Sequence, residues 1–341
     1  MKQRDRSKVR IGVIGTGAIC QLMHLPILSE RRDVEVAAVA DLDDLKAQSV
    51  ARRFGVGRVL DDEALVADDG IQGVVISAPS FVHESLARAC LEAGKHVLVE
   101  RPLALSAGGV RWIMKAAREA GRGVILGMAH RYQPNVRALQ SAIADGGLGK
   151  LSSAQVTWLN RAVRRPRGGW RRRALESGGG ALMDLGVPAL DLALWTMGYP
   201  EVARVSAVTP GDGFDVEEEA HLYAVTRDGV AVSVAASWRL HGPDDRHQLE
   251  VLGSEGSAVL LPLSIHREEA GRTVDVTPRY PSPRGGETLF TNGYRRLLDY
   301  FVAVVAGRTE AHPPAEQAAL MDLVEAAYES ARKGREIELS P

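Results

Sequence analysis

The feature that most constrains the fold is the alternation of short apolar runs with segments of helical periodicity over the first 128 residues. Apolar runs of strand length that lack a polar face are typical of parallel strands, because helices cover both faces of such a sheet. The pattern therefore predicts an α/β domain with a doubly wound parallel sheet and right-handed crossovers. The runs are VRIGVI, VEVAAVA, GVVISA, KHVLVE and GVILGM.

The pattern of apolar and polar residues changes after residue 128. A helix, NVRALQSAIADG, is followed by long segments in which apolar and polar residues alternate, as in LSSAQVTWLN and GVAVSVAASWRL. Alternation is typical of antiparallel strands with one buried face. With 341 residues and about 150 residues per domain, we predict two domains, 1–128 and 129–341. The second is predicted to be α+β with a mostly antiparallel sheet, helices over 293–306 and 314–332, and an exposed loop over 262–291.

Composition excludes several classes of protein. The net charge is -1, with 45% hydrophobic and 25% charged residues, so neither a nucleic-acid nor a membrane partner is expected. The first ten residues, MKQRDRSKVR, contain no apolar run after their charges, and we expect a cytoplasmic protein. The two cysteines, Cys20 and Cys90, can supply neither a disulfide framework nor a cysteine metal site, so no metal is expected.

The stretch VRIGVIGTGAIC points to a dinucleotide. Gly15 and Gly17 follow a strand, and a helix opens near Ala18 and Ile19, where backbone N–H groups can face a pyrophosphate. Cys20 takes the place of the third glycine of this Rossmann fingerprint. Asp41, at the end of VEVAAVAD, is placed to accept hydrogen bonds from both ribose hydroxyls, and it would repel a 2′-phosphate. We therefore predict NAD as cofactor, against the alternative of a plain glycine turn with a capping aspartate.

Two further stretches, VVISAPSFVHESLARACLEAGKHVLVERPLAL and GGGALMDLGVPALDLALW, resemble the signature regions of the glucose-fructose oxidoreductase, inositol dehydrogenase and rhizopine catabolism (Gfo/Idh/MocA) family. The resemblance covers Gly12 to about Arg335. It implies a dinucleotide-binding domain followed by an open-faced sheet domain that relatives often use for oligomer contacts, and hence a homodimer or homotetramer.

The resemblance also assigns residues of the cofactor cleft. Ser77, Pro79, Ser80 and His83 would line it, and Glu100 would lie near the nicotinamide ribose. Pro102 would shape the next turn, often through a cis bond in relatives. His83 could instead cap or pack locally, and Glu100 could be an ordinary acid at a strand end.

Two departures from the family pattern concern proton transfer. Arg101 stands where relatives have the catalytic lysine, and Pro188 stands where they have the catalytic histidine. A guanidinium cannot lose its proton in a protein, although it can stabilise a developing alkoxide. Of the usual set only Asp184 remains as a proton acceptor.

Pro188 also raises a question about the backbone, because a proline inside a helix offers no N–H to the carbonyl four residues before it, here that of Asp184. On the family template Asp184 and Pro188 both face the substrate. Either the helix bends there, or a helix starts anew near Gly186 with Pro188 in its first turn, where proline is tolerated.

Other residues compete for a role at the site. His130, in GMAHRYQP, titrates near neutrality and could accept the proton, or it could be a packing residue at the domain junction. Tyr132 is a weaker candidate. Trp170 could stack on a sugar ring, and the surrounding arginines could attract a carboxylated, phosphorylated or nucleotide-linked sugar, or form a solvated loop. These arginines are Arg161, Arg164, Arg165, Arg167, Arg171, Arg172 and Arg173.

Three functions therefore stay open. The first is an NAD-dependent oxidoreductase acting on a hydroxyl of a sugar, cyclitol or related polyol. The second is a glycoside hydrolase or lyase in which tightly held NAD oxidises and re-reduces the substrate. The third is a dinucleotide-binding protein without catalysis, which the departures at Arg101 and Pro188 make a real alternative.

Overall fold

The predicted parallel sheet is confirmed in the structure, a computed structural model that describes residues 8–210 and 214–340. Its five strands lie in the order β2-β1-β3-β4-β5, and all neighbours are parallel. The strands are β1 (Val9–Ile14), β2 (Val34–Ala40), β3 (Gly73–Ile76), β4 (His96–Glu100) and β5 (Val124–Gly127). The helices between them are α1 (Leu25–Ser29), α2 (Asp44–Phe54), α3 (Asp62–Ala67), α4 (His83–Glu92) and α5 (Ala107–Ala120).

A single bridge completes the sheet on the far side of β2. Val59 pairs in parallel with Val39 of β2. In the chain Val59 comes after β2 and before β3, where a further strand of the sheet is expected. With this bridge the spatial order becomes the 3-2-1-4-5-6 order of dinucleotide-binding domains. The direction of winding reverses between β1 and β3, and ligands bind at such a switch point, beyond the carboxyl ends of the strands.

The second sheet is mostly antiparallel, as predicted. Among the described residues it has the order β13-β12-β11-β10-β6-β9-β8-β7-β14, and only β6 and β9 are parallel neighbours. Its strands are β6 (Leu151–Arg161), β7 (Val202–Val208), β8 (Glu219–Thr226), β9 (Ala231–Leu240), β10 (Arg246–Gly253), β11 (Gly256–Leu260), β12 (Ser264–Glu269), β13 (Arg272–Asp275) and β14 (Ile337–Glu338). The helices of this part are α6 (Pro134–Ala144), α7 (Ala174–Ser177), α8 (Val187–Thr196) and α10 (Gln317–Lys333).

The prediction of a loop over 262–291 is wrong in part, because β12 and β13 lie within it. Their sequences, SIHREE and RTVD, are rich in charged and polar residues, and only Ile265 among them is buried. β13 is the edge strand of this sheet and β12 lies next to it, and strands at a sheet edge often carry charged residues and little apolar alternation. The pattern that reveals half-buried strands therefore misses them.

By its contacts the chain divides into two units, and the division differs from the predicted domains. The first unit includes the described residues up to Ala129 together with Phe290–Gln317, and the second includes the described residues of His130–Leu289 and of Ala318–Pro341. The helix α9 (Leu289–Val305) explains the difference, because it packs on the parallel sheet. A Cβ added at Gly73 would meet Val305 at 2.7 Å and Phe301 at 3.0 Å.

No helix in the described part of the chain combines the length and apolar character that a membrane span requires. Within residues 8–210 and 214–340, no three His, Cys, Asp or Glu side chains are grouped to hold a metal ion. Cys20 and Cys90 are both free and buried.

Candidate active site

The glycine turn after β1 has the geometry that the fingerprint requires. Gly15 has a φ of +89°, and a Cβ there would lie 2.5 Å from the backbone nitrogen of Ala78. At Gly17, by contrast, a Cβ would meet no described atom within 4 Å. Gly15 is thus needed by the fold itself, whereas the space beside Gly17 fits the close approach of a pyrophosphate. The helix starts at Ala18 and Ile19 and passes through a π turn, Cys20–His24, into α1.

Asp41 lies beside this turn, as predicted. Its Oδ2 accepts hydrogen bonds from the N–H and the hydroxyl of Thr16 at 2.7 and 2.8 Å. Its Oδ1 accepts the N–H of Asp43 at 3.0 Å and is 2.8 Å from Nζ of Lys46. Burial would raise the pKa of Asp41, but these contacts outweigh burial and lower its pKa below the ordinary value. The carboxylate is therefore ionised at neutral pH and joined to a cation that sequence analysis did not consider.

The residues after β3 tie the ends of the parallel strands together. Ser77 donates its hydroxyl to the carbonyl of Gly15 at 2.7 Å. Pro79 precedes a short 3₁₀ turn that begins with buried Ser80. His83 is buried with Nε2 2.9 Å from the carbonyl of Ala78 and Nδ1 2.7 Å from that of Pro102. Burial lowers the pKa of His83, and its contacts join the turns after β3 and β4.

Glu100 ends β4 and belongs to a buried polar cluster. Its Oε1 is 2.8 Å from Nε2 of His24, and the hydroxyl of Tyr294 donates to the carboxylate. Burial would raise the pKa of Glu100, but His24, Arg101 and Tyr294 together lower it below the ordinary value. Arg101 follows directly, and the Arg101–Pro102 bond is cis, as the family resemblance led us to expect. His24 and Tyr294 carried no sequence signal, because 76 residues separate His24 from Glu100 and Tyr294 lies farther along the chain.

The question raised by Pro188 has a structural answer. A π turn, Leu182–Gly186, precedes α8, and Pro188 falls in the first turn of α8, where its missing N–H is tolerated. Gly186 keeps helical angles, with φ -69° and ψ -42°, so the chain stays helical across the junction. The helix therefore runs through Gly186 and does not start anew there, and the π turn before Pro188 is the feature that sequence did not predict. Such turns are frequent at functional sites.

Asp184 lies on this π turn, and its side chain is 22% exposed. Trp238 donates its indole N–H to Oδ2 at 3.1 Å. Arg171 approaches Oδ1 to 3.7 Å, and its guanidinium lies over the ring of Trp170 at 4.3 Å. The structure thus brings Asp184, Trp170 and Arg171 together, whereas Pro188 is buried.

Most of the arginine run is engaged with carboxylates of the same unit. Asp245 binds Arg164 at 2.9 Å and Arg161 at 3.5 Å, and Glu218 binds two more arginines. Arg173 pairs with Glu176. Six arginines therefore share four carboxylates, including Asp184, so the positive field is weaker than the sequence suggests.

His130 is held by a buried carboxylate that the sequence analysis missed. Its Nε2 is 3.0 Å from Asp191, which also binds the guanidinium of Arg131 and accepts the hydroxyl of Tyr199 at 2.7 Å. Burial would raise the pKa of Asp191, but Arg131 and His130 hold its pKa far below the ordinary range. Asp191 stands seven residues after Asp184, a spacing of two helical turns that could have drawn attention to it. The described contacts of Tyr132 include Arg137, which lies 5.4 Å from the ring.

Comparison with known proteins identifies the family. Residues 9–128 match an oxidoreductase family with an NAD-binding Rossmann fold, and residues 136–259 match the Gfo/Idh/MocA C-terminal domain. The chain belongs to the Gfo/Idh/MocA family. It is an NAD-dependent oxidoreductase.

Three relatives illustrate the likeness. A putative UDP-kanosamine synthase oxidoreductase subunit of Amycolatopsis mediterranei is 32% identical over 74% of this chain and 75% of its own. A D-glucoside 3-dehydrogenase of Escherichia coli is 26% identical over 98% of both chains. The structure of GenD2 from gentamicin A biosynthesis in complex with NAD has a TM-score of 0.84 and 29% identity, covering 98% of this chain and 97% of that one.

A pair of glycine variants tests the pyrophosphate turn. We expect Gly17→Val to abolish NAD binding while the protein folds, because the added side chain meets no described protein atom. Gly15→Ala should instead lower the melting temperature, because φ is +89° and the backbone of Ala78 is too close. Calorimetric titration with NAD and thermal circular dichroism measure both effects. NAD binding by Gly17→Val at the wild-type level would refute the assignment.

The contact between Asp41 and Lys46 gives a prediction on cofactor choice. We expect NAD(H) to bind at least about tenfold more tightly than NADP(H), because like charges repel. Asp41→Ser should narrow or reverse that preference, since Lys46 then remains as a cation near the 2′ position. The double variant Asp41→Ser with Lys46→Gln is the control and should lose the gain in NADP(H) affinity. Fluorescence titration with both cofactors measures these affinities. Equal affinities of the wild type for NAD(H) and NADP(H) would show that Asp41 does not bind the ribose.

The buried carboxylate of Asp191 predicts a pH dependence of stability. Its folded pKa is lowered, so it stabilises the protein above its unfolded pKa of about 4, and this contribution is lost as pH falls below that value. Asp191→Asn should lower the free energy of unfolding by about 3–5 kcal/mol at pH 7, because Arg131 loses its buried partner. The difference from wild type should shrink below about pH 4.

Chemical denaturation at several pH values measures this difference. Asp145→Asn makes the same chemical change at an exposed position and should have little effect. A difference for Asp191→Asn that is constant from pH 7 to acid would show that the carboxylate charge is not what stabilises the cluster.

Proposed function

We propose that the chain transfers hydride between NAD and a hydroxyl-bearing carbon of a sugar, cyclitol or related polyol, and that Asp184 accepts the hydroxyl proton. One observation carries the proposal: the Asp184 carboxylate is partly exposed and is oriented by the Trp238 indole and Arg171. The relatives named as a D-glucoside 3-dehydrogenase and a UDP-kanosamine synthase subunit support a sugar ring as substrate.

The first unit supplies the residues that would hold the cofactor. The pyrophosphate would face the turn formed by Gly15, Gly17, Ala18 and Ile19. Asp41 would bind the adenosine ribose, and the ribose hydroxyls would take the place of Lys46 as partners of its carboxylate. NAD supplies the hydride acceptor when it is bound. The remaining residues proposed to line the cleft are Ser77, Pro79, Ser80 and Glu100, with His83 holding their turns in place.

Proton transfer falls to Asp184 because its neighbours in the family pattern cannot perform it. Arg101 keeps its proton and would stabilise the alkoxide that forms as the hydroxyl is deprotonated. Pro188 has no titratable group, and its role is to shape the first turn of α8. His130 is the alternative acceptor, but its Nε2 is engaged with Asp191 at 3.0 Å. We therefore propose that His130 and Asp191 stabilise the second unit.

Trp170 is proposed to stack on the sugar ring. The arginines around it are bound to protein carboxylates, so we propose that they fold their segment and that the substrate is uncharged. A marked preference for carboxylated or phosphorylated sugars over neutral ones would instead assign the arginines to the substrate.

We also propose that the protein works as a homodimer or homotetramer in the cytoplasm. Two free, buried cysteines suit a reducing compartment. Val208 of β7 is 62% exposed and Tyr223 of β8 is 50% exposed. Exposed apolar side chains on an open sheet suit a contact between two copies of this chain.

The proposed base is tested by substitution. We expect Asp184→Asn to lower kcat by about 10²- to 10⁴-fold, because the amide keeps the shape of the carboxylate but cannot accept a proton. Arg101→Lys should cost less, since the positive charge remains. NADH formation is measured on the best substrate from a panel of sugars and polyols, with NAD affinity determined in parallel.

Two further variants complete this test. His130→Gln should retain most of the activity, and a loss as large as that of Asp184→Asn would move the base to His130. If the wild type oxidises none of the panel, the protein belongs to the non-catalytic class. The double variant Arg101→Lys with Pro188→His, which restores the lysine and histidine of the family pattern, should then create activity in this chain. Full activity in both Asp184→Asn and His130→Gln would overturn the mechanism.

A further inference from the structure

We propose that Glu218 is a positioning residue that holds residues 162–176, here called the arginine strap, beside Asp184 and thereby sets the affinity for the sugar. The proposal rests on the proposed function, in which Asp184 and Trp170 meet the substrate. It assigns to Glu218 an effect on binding and none on proton transfer.

The described apolar contact of the arginine strap with the core is small: Ala174 packs against the buried cluster around Trp238. The strap's Val163 is 72% exposed and its Leu175 is 95% exposed. The backbone hydrogen bonds of its 3₁₀ turns are local, such as Arg165 N to Ala162 O and Arg173 N to Trp170 O. A segment with few buried apolar contacts has low local stability, so charged contacts carry much of its attachment.

Glu218 is the buried carboxylate that joins the strap to the rest of the unit. It is 4% exposed, and its Oε1 is 2.9 Å from Arg172 while its Oε2 is 3.6 Å from Arg165. These two arginines lie on either side of Trp170 in the chain. The main-chain carbonyl of Glu218 also accepts the N–H of Trp238 at 2.9 Å, and the Trp238 indole binds Asp184.

The part of the strap between these two anchors carries the groups that would meet a sugar. Trp170–Arg172 form a 3₁₀ turn, with Arg171 over the Trp170 ring and 3.7 Å from Asp184. Glu218 contacts Arg172, the last residue of this turn, and Arg165 before it, and its main-chain carbonyl binds Trp238. The turn that carries Trp170 and the indole that orients Asp184 are therefore both held by Glu218. Loosening the strap should therefore weaken substrate binding and leave the proton acceptor in place.

The kinetic test separates KM from kcat. Glu218→Gln should raise KM for the sugar about tenfold with kcat and NAD affinity unchanged, the result expected when an interaction is lost equally from ground and transition states. Arg165→Gln removes a half-exposed partner, is compatible with folding, and should raise KM in the same direction. Glu176→Gln is the matched control, because its pair with Arg173 lies within the strap, and KM should stay at the wild-type value.

Salt gives a second kinetic readout. In the wild type, KM for a neutral sugar should rise with ionic strength, because Arg165, which Glu218 binds, is 44% exposed and its ion pair is screened. In Glu218→Gln this dependence should flatten. A fall in kcat with KM unchanged would show that Glu218 acts on the chemistry, and would overturn the proposal.

Trypsin tests the strap without any activity measurement, so the outcome is separate from that of the proposed function. Cleavage within residues 161–173 should be about tenfold faster in Glu218→Gln and Arg165→Gln than in the wild type and in Glu176→Gln, because cleavage follows the opening of the segment. Arg165 precedes Pro166, so Arg165→Gln removes no tryptic site. Unchanged cleavage would show that Glu218 does not hold the strap, and faster cleavage with unchanged KM would show that the strap does not set sugar affinity.

Discussion

The part of the second unit that carries Asp184 depends on the carboxylate of Glu217. Its two oxygens accept the N–H groups of Gly180 at 3.0 Å and Leu182 at 2.9 Å, where the helical segment begins, and the hydroxyl of Tyr328 donates to it at 2.9 Å. The first N–H groups of a helix have no partner within it, and leaving one unpaired in a buried place costs about 1–3 kcal/mol. A Cβ at Gly180 would lie 1.8 Å from the main-chain oxygen of Glu217, so this contact also requires glycine. The position of Asp184 is therefore set from a residue far along the chain.

With that start fixed, the helical segment accommodates Pro188 without a break. The π turn precedes α8, Pro188 lies in the first turn of α8, and the backbone keeps helical angles at Gly186. The neighbours that orient Asp184 are then Trp238 and Arg171 from the same unit. A guanidinium and an indole N–H can orient a carboxylate and bind substrate oxygens, but neither takes up a proton at neutral pH. In the proposed mechanism, acid–base chemistry is therefore concentrated on one carboxylate, that of Asp184.

The sequence predicted the fold well because periodicity records burial. The five parallel strands and the glycine turn followed from apolar runs and from Gly15 and Gly17, and the mostly antiparallel second sheet followed from the alternation of apolar and polar residues. The sequence did not reveal contacts between distant residues, such as that of His24 with Glu100. It also did not reveal the bridge at Val59, which is a single residue pair. Nor did it predict β12 and β13, half of whose side chains are charged. At the candidate site, position along the helix drew attention to Asp184, but its partner Trp238 lies 54 residues away.

Glu217 and Glu218 show why such contacts are hidden. In the sequence they belong to the run EEE, which is typical of a solvated surface, yet Glu218 is 4% exposed and Glu217 caps a helix. They are adjacent residues just before β8, which pairs with β9, the strand that carries Trp238. One carboxylate thus holds the helical segment of Asp184, and the next holds the arginine strap. Both glutamates adjoin the same strand pair, so Asp184 and the strap that carries Trp170 are attached to one part of the fold. The strap is joined to the rest of the second unit by ion pairs, by the hydrogen bond from the Ala174 N–H to Asp215 and by the packing of Ala174. In the proposed mechanism, substrate binding and proton transfer can therefore change independently in variants, because different carboxylates hold the two groups.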